Sequence, residues 1–336
     1  MKISKTKLDN LNACANEHGI ISAAAMDQRG SLKKAIAKDR AEVTDTDLSD
    51  FKTAITKVLT PHASAILLDP IWGLDAAAAR SKNAGLLLAY EKSGYDTTSE
   101  GRLPDLIEDY SVRRIAEAGG NAVKILLYIN PFDKKEVNEQ KYAFTERIGA
   151  ECEAVGLPLF LEPITYDDNI SDAFEFAKVK PKYVMAAMEE LSKDRYGIDV
   201  LKLEFPLLAQ HTGGMKASEG NQIAYSREEA TDYLNQMGDM ATKPYIFLSA
   251  GVDMPVFLES LELAAESGVR YNGVLCGRAT WKGGIPVFAK GDASALEQWL
   301  GGEGVDNIKA LNKVLDSSAK PWYDIYGGMD KIEVTS

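Results

Sequence analysis

The chain has 336 residues, of which 45% are hydrophobic, enough to bury a large core as one α/β domain or as two medium ones. Its 50 acidic and 38 basic residues leave a formal charge of −12 with no lysine- or arginine-rich run, which argues against nucleic acid as a partner. Cys14, Cys152 and Cys276 are odd in number and far apart, which speaks against a disulfide framework and for a reducing compartment.

Residues 1–17 read as a polar helix rather than a signal peptide, and the first apolar run, residues 20–26, is too short for a membrane span. A cytoplasmic protein with no membrane partner is expected. Seven more short apolar runs follow, at residues 64–68, 85–90, 122–128, 157–161, 200–205, 245–248 and 273–276. Between them lie stretches of helical periodicity, among them residues 103–118, 142–155, 226–237 and 256–267. Gly119, Gly156 and Gly268 stand just past three of these, where glycine is the expected helix stop. Strand and helix alternate eight times in roughly 250 residues, the count and length of a (β/α)₈ TIM barrel. An open, doubly wound sheet is the alternative. No linker or low-complexity segment divides the chain, so residues 1–336 are expected to form one domain. Residues 292–314 and 322–336 read as helix plus tail, making 292–336 a C-terminal extension.

Two strands carry a lysine inside an apolar run: Lys124 in Val123-Lys124-Ile125-Leu126-Leu127 and Lys202 in Val200-Leu201-Lys202-Leu203. Burying an ammonium costs several kcal/mol unless it is paired or deprotonated, and a desolvated amine beside another cation is suited to attack carbonyls. An edge strand would let such lysines face water, but a closed barrel has no edges. Barrel enzymes place reactive groups at the carboxyl ends of strands. Those ends here carry Asp27, Gln28 and Arg29, then Asp69, Glu91 and Lys92, Lys124, Glu162, Lys202 and Glu204, Ser249-Ala250-Gly251, and Gly277-Arg278. The last two loops have the glycines of a phosphate site, with Arg278 to supply a charge-assisted contact; ordinary turn glycines are the plainer alternative. Glu162 and Glu204 could form a glycosidase carboxylate pair, but Lys202 shares a strand face with Glu204 and is expected to pair with it instead. Three scattered histidines and three cysteines offer no metal-ligand spacing, and no nucleotide-binding motif occurs, so no metal and no cofactor are expected.

At these positions the sequence resembles the class I tagatose-1,6-bisphosphate aldolases, a (β/α)₈ barrel family. The resemblance runs through Met26-Asp27-Gln28-Arg29-Gly30, Tyr90-Glu91-Lys92, Val123-Lys124-Ile125, Phe160-Leu161-Glu162, Asp199-Val200-Leu201-Lys202, Leu248-Ser249-Ala250-Gly251 and Cys276-Gly277-Arg278-Ala279-Thr280-Trp281. It reaches about Trp322, leaving residues 327–336 without a recognisable counterpart. Bacterial sulfofructosephosphate aldolases are similar around Asp27, Lys124, Glu162, Lys202 and Arg278. The resemblance implies that Lys202 forms a Schiff base with a phosphorylated ketose and that Glu162 is the general acid/base. Lys124 would keep Lys202 neutral and polarise the substrate, and Asp27 and Gln28, with Arg29 alongside, would hold sugar hydroxyls or the iminium. Ser249, Gly251, Gly277 and Arg278 would cradle the phosphate beside the ketone. The implied reaction is reversible cleavage of tagatose 1,6-bisphosphate. A sulfo-sugar or fructose substrate and a non-catalytic sugar-phosphate sensor are the alternatives. A homo-oligomer is compatible with the sequence, which does not set the state.

Overall fold

Apolar runs that are buried on both faces become parallel strands, and here eight of them close on themselves. A computed structural model describes residues 1–335. In it β2 (Ile21–Met26), β3 (Ala65–Leu68), β4 (Gly85–Ala89), β5 (Ala122–Ile129), β6 (Leu159–Thr165), β7 (Val200–Glu204), β8 (Tyr245–Leu248) and β9 (Gly273–Cys276) form a closed barrel, with β9 pairing back onto β2. Every consecutive pair is parallel. The (β/α)₈ expectation is met, with strand boundaries mostly within two residues of those read from the sequence; the largest shift is in β6, which runs on to Thr165.

Side-chain alternation divides the core in two. Ala24, Ile66, Leu88, Ile125, Leu161, Leu203, Phe247 and Val274 pack outward against the helices. Ala25, Leu67, Leu87, Phe160, Val200, Ile246 and Leu275 fill the barrel interior. This second register positions the chemistry. Lys124, Glu162 and Lys202 stand two residues beyond Ala122, Phe160 and Val200, so they continue the inward face into the mouth.

The outer helices have the expected terminal chemistry. Capping boxes start α3 (Asp45–Leu59), at Thr44 and Asp47, and α8 (Arg227–Asp239), at Ser226 and Glu229. Left-handed Gly156 and Gly268 end α6 (Lys135–Val155) and α9 (Met254–Ser267). The helix expected over residues 103–118 is shorter: α5 spans Val112–Glu117, capped by Ser111. Leu106 instead forms an antiparallel bridge with Glu91, which, with Pro104 nearby, takes this stretch out of helical conformation.

The N-terminal segment also differs from its expectation. Residues Lys2–Ser4 form a strand, β1, before helix α1 (Lys5–Ala13). β1 pairs in parallel with β10 (Glu333–Thr335), so residues 2–4 and 333–335 join beneath the barrel. Trp322, at the start of the expected tail, is fully buried there with Ile3, Leu11 and Ile332, and its indole donates to Asn12 Oδ1 at 3.2 Å. Helices α12 (Ala293–Trp299) and α13 (Val305–Ser318) pack on α3 and α9. Among the described residues, no helix is long and apolar enough to cross a membrane.

Candidate active site

A cavity of 620 Å³ opens at the carboxyl ends of the strands. It is lined by six cationic side chains, Arg29, Lys34, Lys92, Lys124, Lys202 and Arg278, and four acidic ones, Asp27, Glu91, Glu162 and Glu204. A chain of charge −12 thus concentrates cations at one mouth.

Lys124 and Lys202 lie on the floor of this cavity, both buried. Lys202 Nζ is 2.8 Å from Glu162 Oε2, and Lys124 Nζ approaches the same oxygen at 3.0 Å. Lys124 also donates to Asp27 Oδ2 at 2.9 Å and to Glu91 Oε1 at 2.8 Å. Burial alone would lower the Lys124 pKa, but Asp27, Glu162 and Glu91 outweigh it and hold the ammonium well above the ordinary lysine value. Burial likewise pushes Glu162 up, yet Lys124 and Lys202 bring its carboxyl below the usual range. Asp27 is depressed further, the cost of burial being overcome by Lys124 and Lys202. Glu91 goes the other way. Its burial exceeds the pull of Lys124 and Arg29, so its carboxyl is raised, and its Oε2 is buried without a hydrogen-bond partner.

The expected pairing of Lys202 with Glu204 does not occur. Residues two apart on one strand are separated by roughly 7 Å, whereas the neighbouring strand lies under about 5 Å away. Lys202 therefore reaches across to Glu162 on β6. Glu204 lines the cavity but directs its carboxylate away from Lys202: Lys180 lies 3.2 Å away, and it accepts from the backbone N–H and hydroxyl of Thr165, each at 2.7 Å.

Asp27, Gln28 and Arg29 follow β2 and line the cavity as expected. What orients them was not visible in the sequence: Lys52 of α3, fully buried, donates to the carbonyls of Met26 at 2.8 Å and Gln28 at 2.7 Å, and pairs with Asp69 at 2.8 Å. Arg29 donates to the carbonyl of Glu91 at 2.7 Å, tying the β2 and β4 ends together. Arg278 is exposed at the cavity rim just after β9, the strand beside β2, and among the described residues no carboxylate lies within salt-bridge distance of it. Its guanidinium rests against Gly251, where a Cβ would come 2.7 Å from the guanidinium carbon, and Gly251 has φ +81°. Ala250 before it also has a positive φ, +49°. Ser249 is buried beside the Cys276 thiol, behind the cavity wall, and Gly277 sits near Gln28. Of the four residues expected to hold phosphate, Arg278 alone lines the cavity, with Ser249, Gly251 and Gly277 shaping the backbone around it.

A closed parallel barrel with ionised groups gathered at the carboxyl ends of its strands has the build of a barrel enzyme. Residues 21–283 match the family model described as DeoC/LacD family aldolase, and the chain belongs to that family. It is 48% identical over 336 residues to a tagatose 1,6-diphosphate aldolase of Listeria monocytogenes, covering 99% of this chain and 98% of that one. It is also 48% identical to tagatose 1,6-diphosphate aldolase 2 of Enterococcus faecalis, covering 95% of each, and 46% identical to a Staphylococcus aureus tagatose 1,6-diphosphate aldolase, covering 96% and 99%. The match to the Listeria protein takes in most of residues 327–336, which therefore do have a counterpart. In fold the chain is similar to a fructose-bisphosphate aldolase from Plasmodium falciparum, with a TM-score of 0.70 at 14% identity over 95% of this chain and 98% of that one.

Proposed function

We propose that this aldolase cleaves tagatose 1,6-bisphosphate reversibly to dihydroxyacetone phosphate and glyceraldehyde 3-phosphate through a Schiff base on Lys202. The observation that carries the reading is the 2.8 Å contact between Lys202 Nζ and Glu162 Oε2, a nucleophile and a proton acceptor in hydrogen-bond reach. The names of the full-length relatives support the choice of sugar.

In this account Lys202 passes a proton to Glu162 and its free amine attacks the C2 ketone. Glu162 returns the proton to the departing carbinolamine hydroxyl, leaving an iminium and a water. Glu162, again a carboxylate, takes the proton of the C4 hydroxyl; the C3–C4 bond breaks, its electron pair moves into the iminium to give an enamine, and the aldehyde leaves. Protonation at C3 and hydrolysis of the imine release dihydroxyacetone phosphate and restore Lys202. Lys124 stays protonated throughout, because three carboxylates surround it, and supplies a fixed positive charge beside the reacting carbons. Arg278, with no carboxylate partner among the described residues, is placed to bind the phosphate next to the ketone.

Cleavage rates with tagatose 1,6-bisphosphate, fructose 1,6-bisphosphate and sulfofructose 1-phosphate, measured side by side, test the substrate assignment. The highest kcat/KM is expected for the tagatose compound. Preference for the sulfo-sugar reassigns the substrate, and binding without turnover of any of the three replaces the enzyme with a sugar-phosphate sensor.

A further inference from the structure

Residues 92–106, between β4 and α5, form an irregular hairpin over the cavity. Its ends are joined by the Glu91–Leu106 bridge and by backbone hydrogen bonds from Lys92 to Asp105 at 2.8 Å and from Asp96 to Leu103 at 3.1 Å. Lys92, Ser93 and Gly94 line the cavity. Near the far end the backbone is strained: Arg102 has φ +52°, a region costly for any residue with a Cβ. Gly101 before it, at φ +90°, lies so close to α6 that a Cβ would meet Val137 at 2.2 Å.

That conformation delivers one guanidinium into a cluster of three tyrosines. The Arg102 guanidinium carbon is 4.0 Å from the ring centre of Tyr166, 5.2 Å from Tyr95 and 5.8 Å from Tyr128, and Nη2 is 2.6 Å from Asp168. Tyr95 belongs to the hairpin and packs edge-on to Tyr128 with ring centres 5.0 Å apart. Tyr128 lies on β5 and lines the cavity. One side chain thus fastens the hairpin to the end of β5 and to the loop after β6, by cation–π contacts and an ion pair.

The barrel's closed order sets which part of a substrate would meet this wall. β4 and β5 lie four strands round from β8 and β9, across the mouth from Arg278. A ketose phosphate held at Arg278 and bonded to Lys202 of β7 sends its remaining carbons toward the hairpin. We propose that Arg102 is a positioning residue that clamps the hairpin and Tyr128 into the wall receiving the aldehyde half of the substrate, the half released on cleavage. This rests on the aldolase reading above.

The test separates the two halves of the substrate. Arg102→Met and Arg102→Lys are compared with the native protein for KM and kcat in cleavage of tagatose 1,6-bisphosphate, and for half-saturation of borohydride trapping by dihydroxyacetone phosphate, which occupies the ketone half alone. Arg102→Met is expected to raise KM by roughly tenfold while the half-saturation for trapping stays native. Arg102→Lys, which keeps the charge but not the planar stack, is expected to shift KM the same way by less. An unchanged KM, or equal shifts in both measures, overturns the assignment. If native protein is not trapped at all, the aldolase reading fails and this inference goes with it.

Discussion

The ammonium groups of Lys124 and Lys202 converge on a single oxygen of Glu162, at 3.0 and 2.8 Å, so the two strand lysines are coupled through one carboxylate. Lys124 has Asp27 and Glu91 as further partners, whereas the Lys202 ammonium has Glu162 alone within salt-bridge distance among the described residues. That asymmetry holds Lys124 as a cation and is compatible with the proposed role of Lys202 as the nucleophile.

Glu162→Gln keeps the side-chain shape and removes the proton acceptor. Turnover should fall by roughly a hundredfold or more, while dihydroxyacetone phosphate still forms an imine that borohydride traps. Near-normal turnover would transfer the acid/base role to Asp27, Glu91 or Glu204, the other carboxylates lining the cavity.

Arg278 has no acidic partner among the described residues, so removing it should leave the melting temperature nearly unchanged. Arg278→Ala should lower kcat/KM by about 2 to 4 kcal/mol, the range for losing a charge-assisted contact. Inorganic phosphate should compete with substrate in the native enzyme and lose that effect in the variant. A lowered melting temperature with intact phosphate competition would move the phosphate site elsewhere.

Lys141 on α6 is fully buried, and its amine donates to the Tyr166 hydroxyl at 3.1 Å. Burial, aided by Arg102, lowers its pKa from 10.5 to about 8 despite Asp133. Below pH 8 the amine is protonated in folded and unfolded chains alike, and the fold carries the cost of a buried charge. From about 8 to 10.5 the unfolded chain holds a proton that the folded chain does not, so this group's contribution to stability rises with pH. Lys141→Met removes that dependence. The melting temperature of the variant minus that of the native protein should therefore decrease between pH 8 and 10; a pH-independent difference would mean that Lys141 stays charged.

The eight barrel strands were legible because each is a short apolar run buried on both faces, and Lys124 and Lys202 stood out as charges inside such runs. Their partners were less visible. Glu162 lies 40 residues from Lys202, and the contact depends on strand register that no local pattern encodes. Same-face spacing suggested Glu204 instead, which the shorter distance across strands overrules. Lys52 on α3 gave no signal at all, since its carbonyl partners at the end of β2 are set by how the helix packs on the barrel. The strand at Lys2–Ser4 was missed for a related reason: three residues carry no period, and its partner is at the other end of the chain. Residues 103–111 show apolar spacing that suits a helix, but Leu106 is drawn into the bridge with Glu91.

The most direct test of the central claim is borohydride reduction in the presence of dihydroxyacetone phosphate, followed by peptide mass analysis. The account predicts loss of activity and a reduced adduct on the peptide bearing Lys202. An adduct on Lys124, or inactivation with no adduct at all, would contradict it.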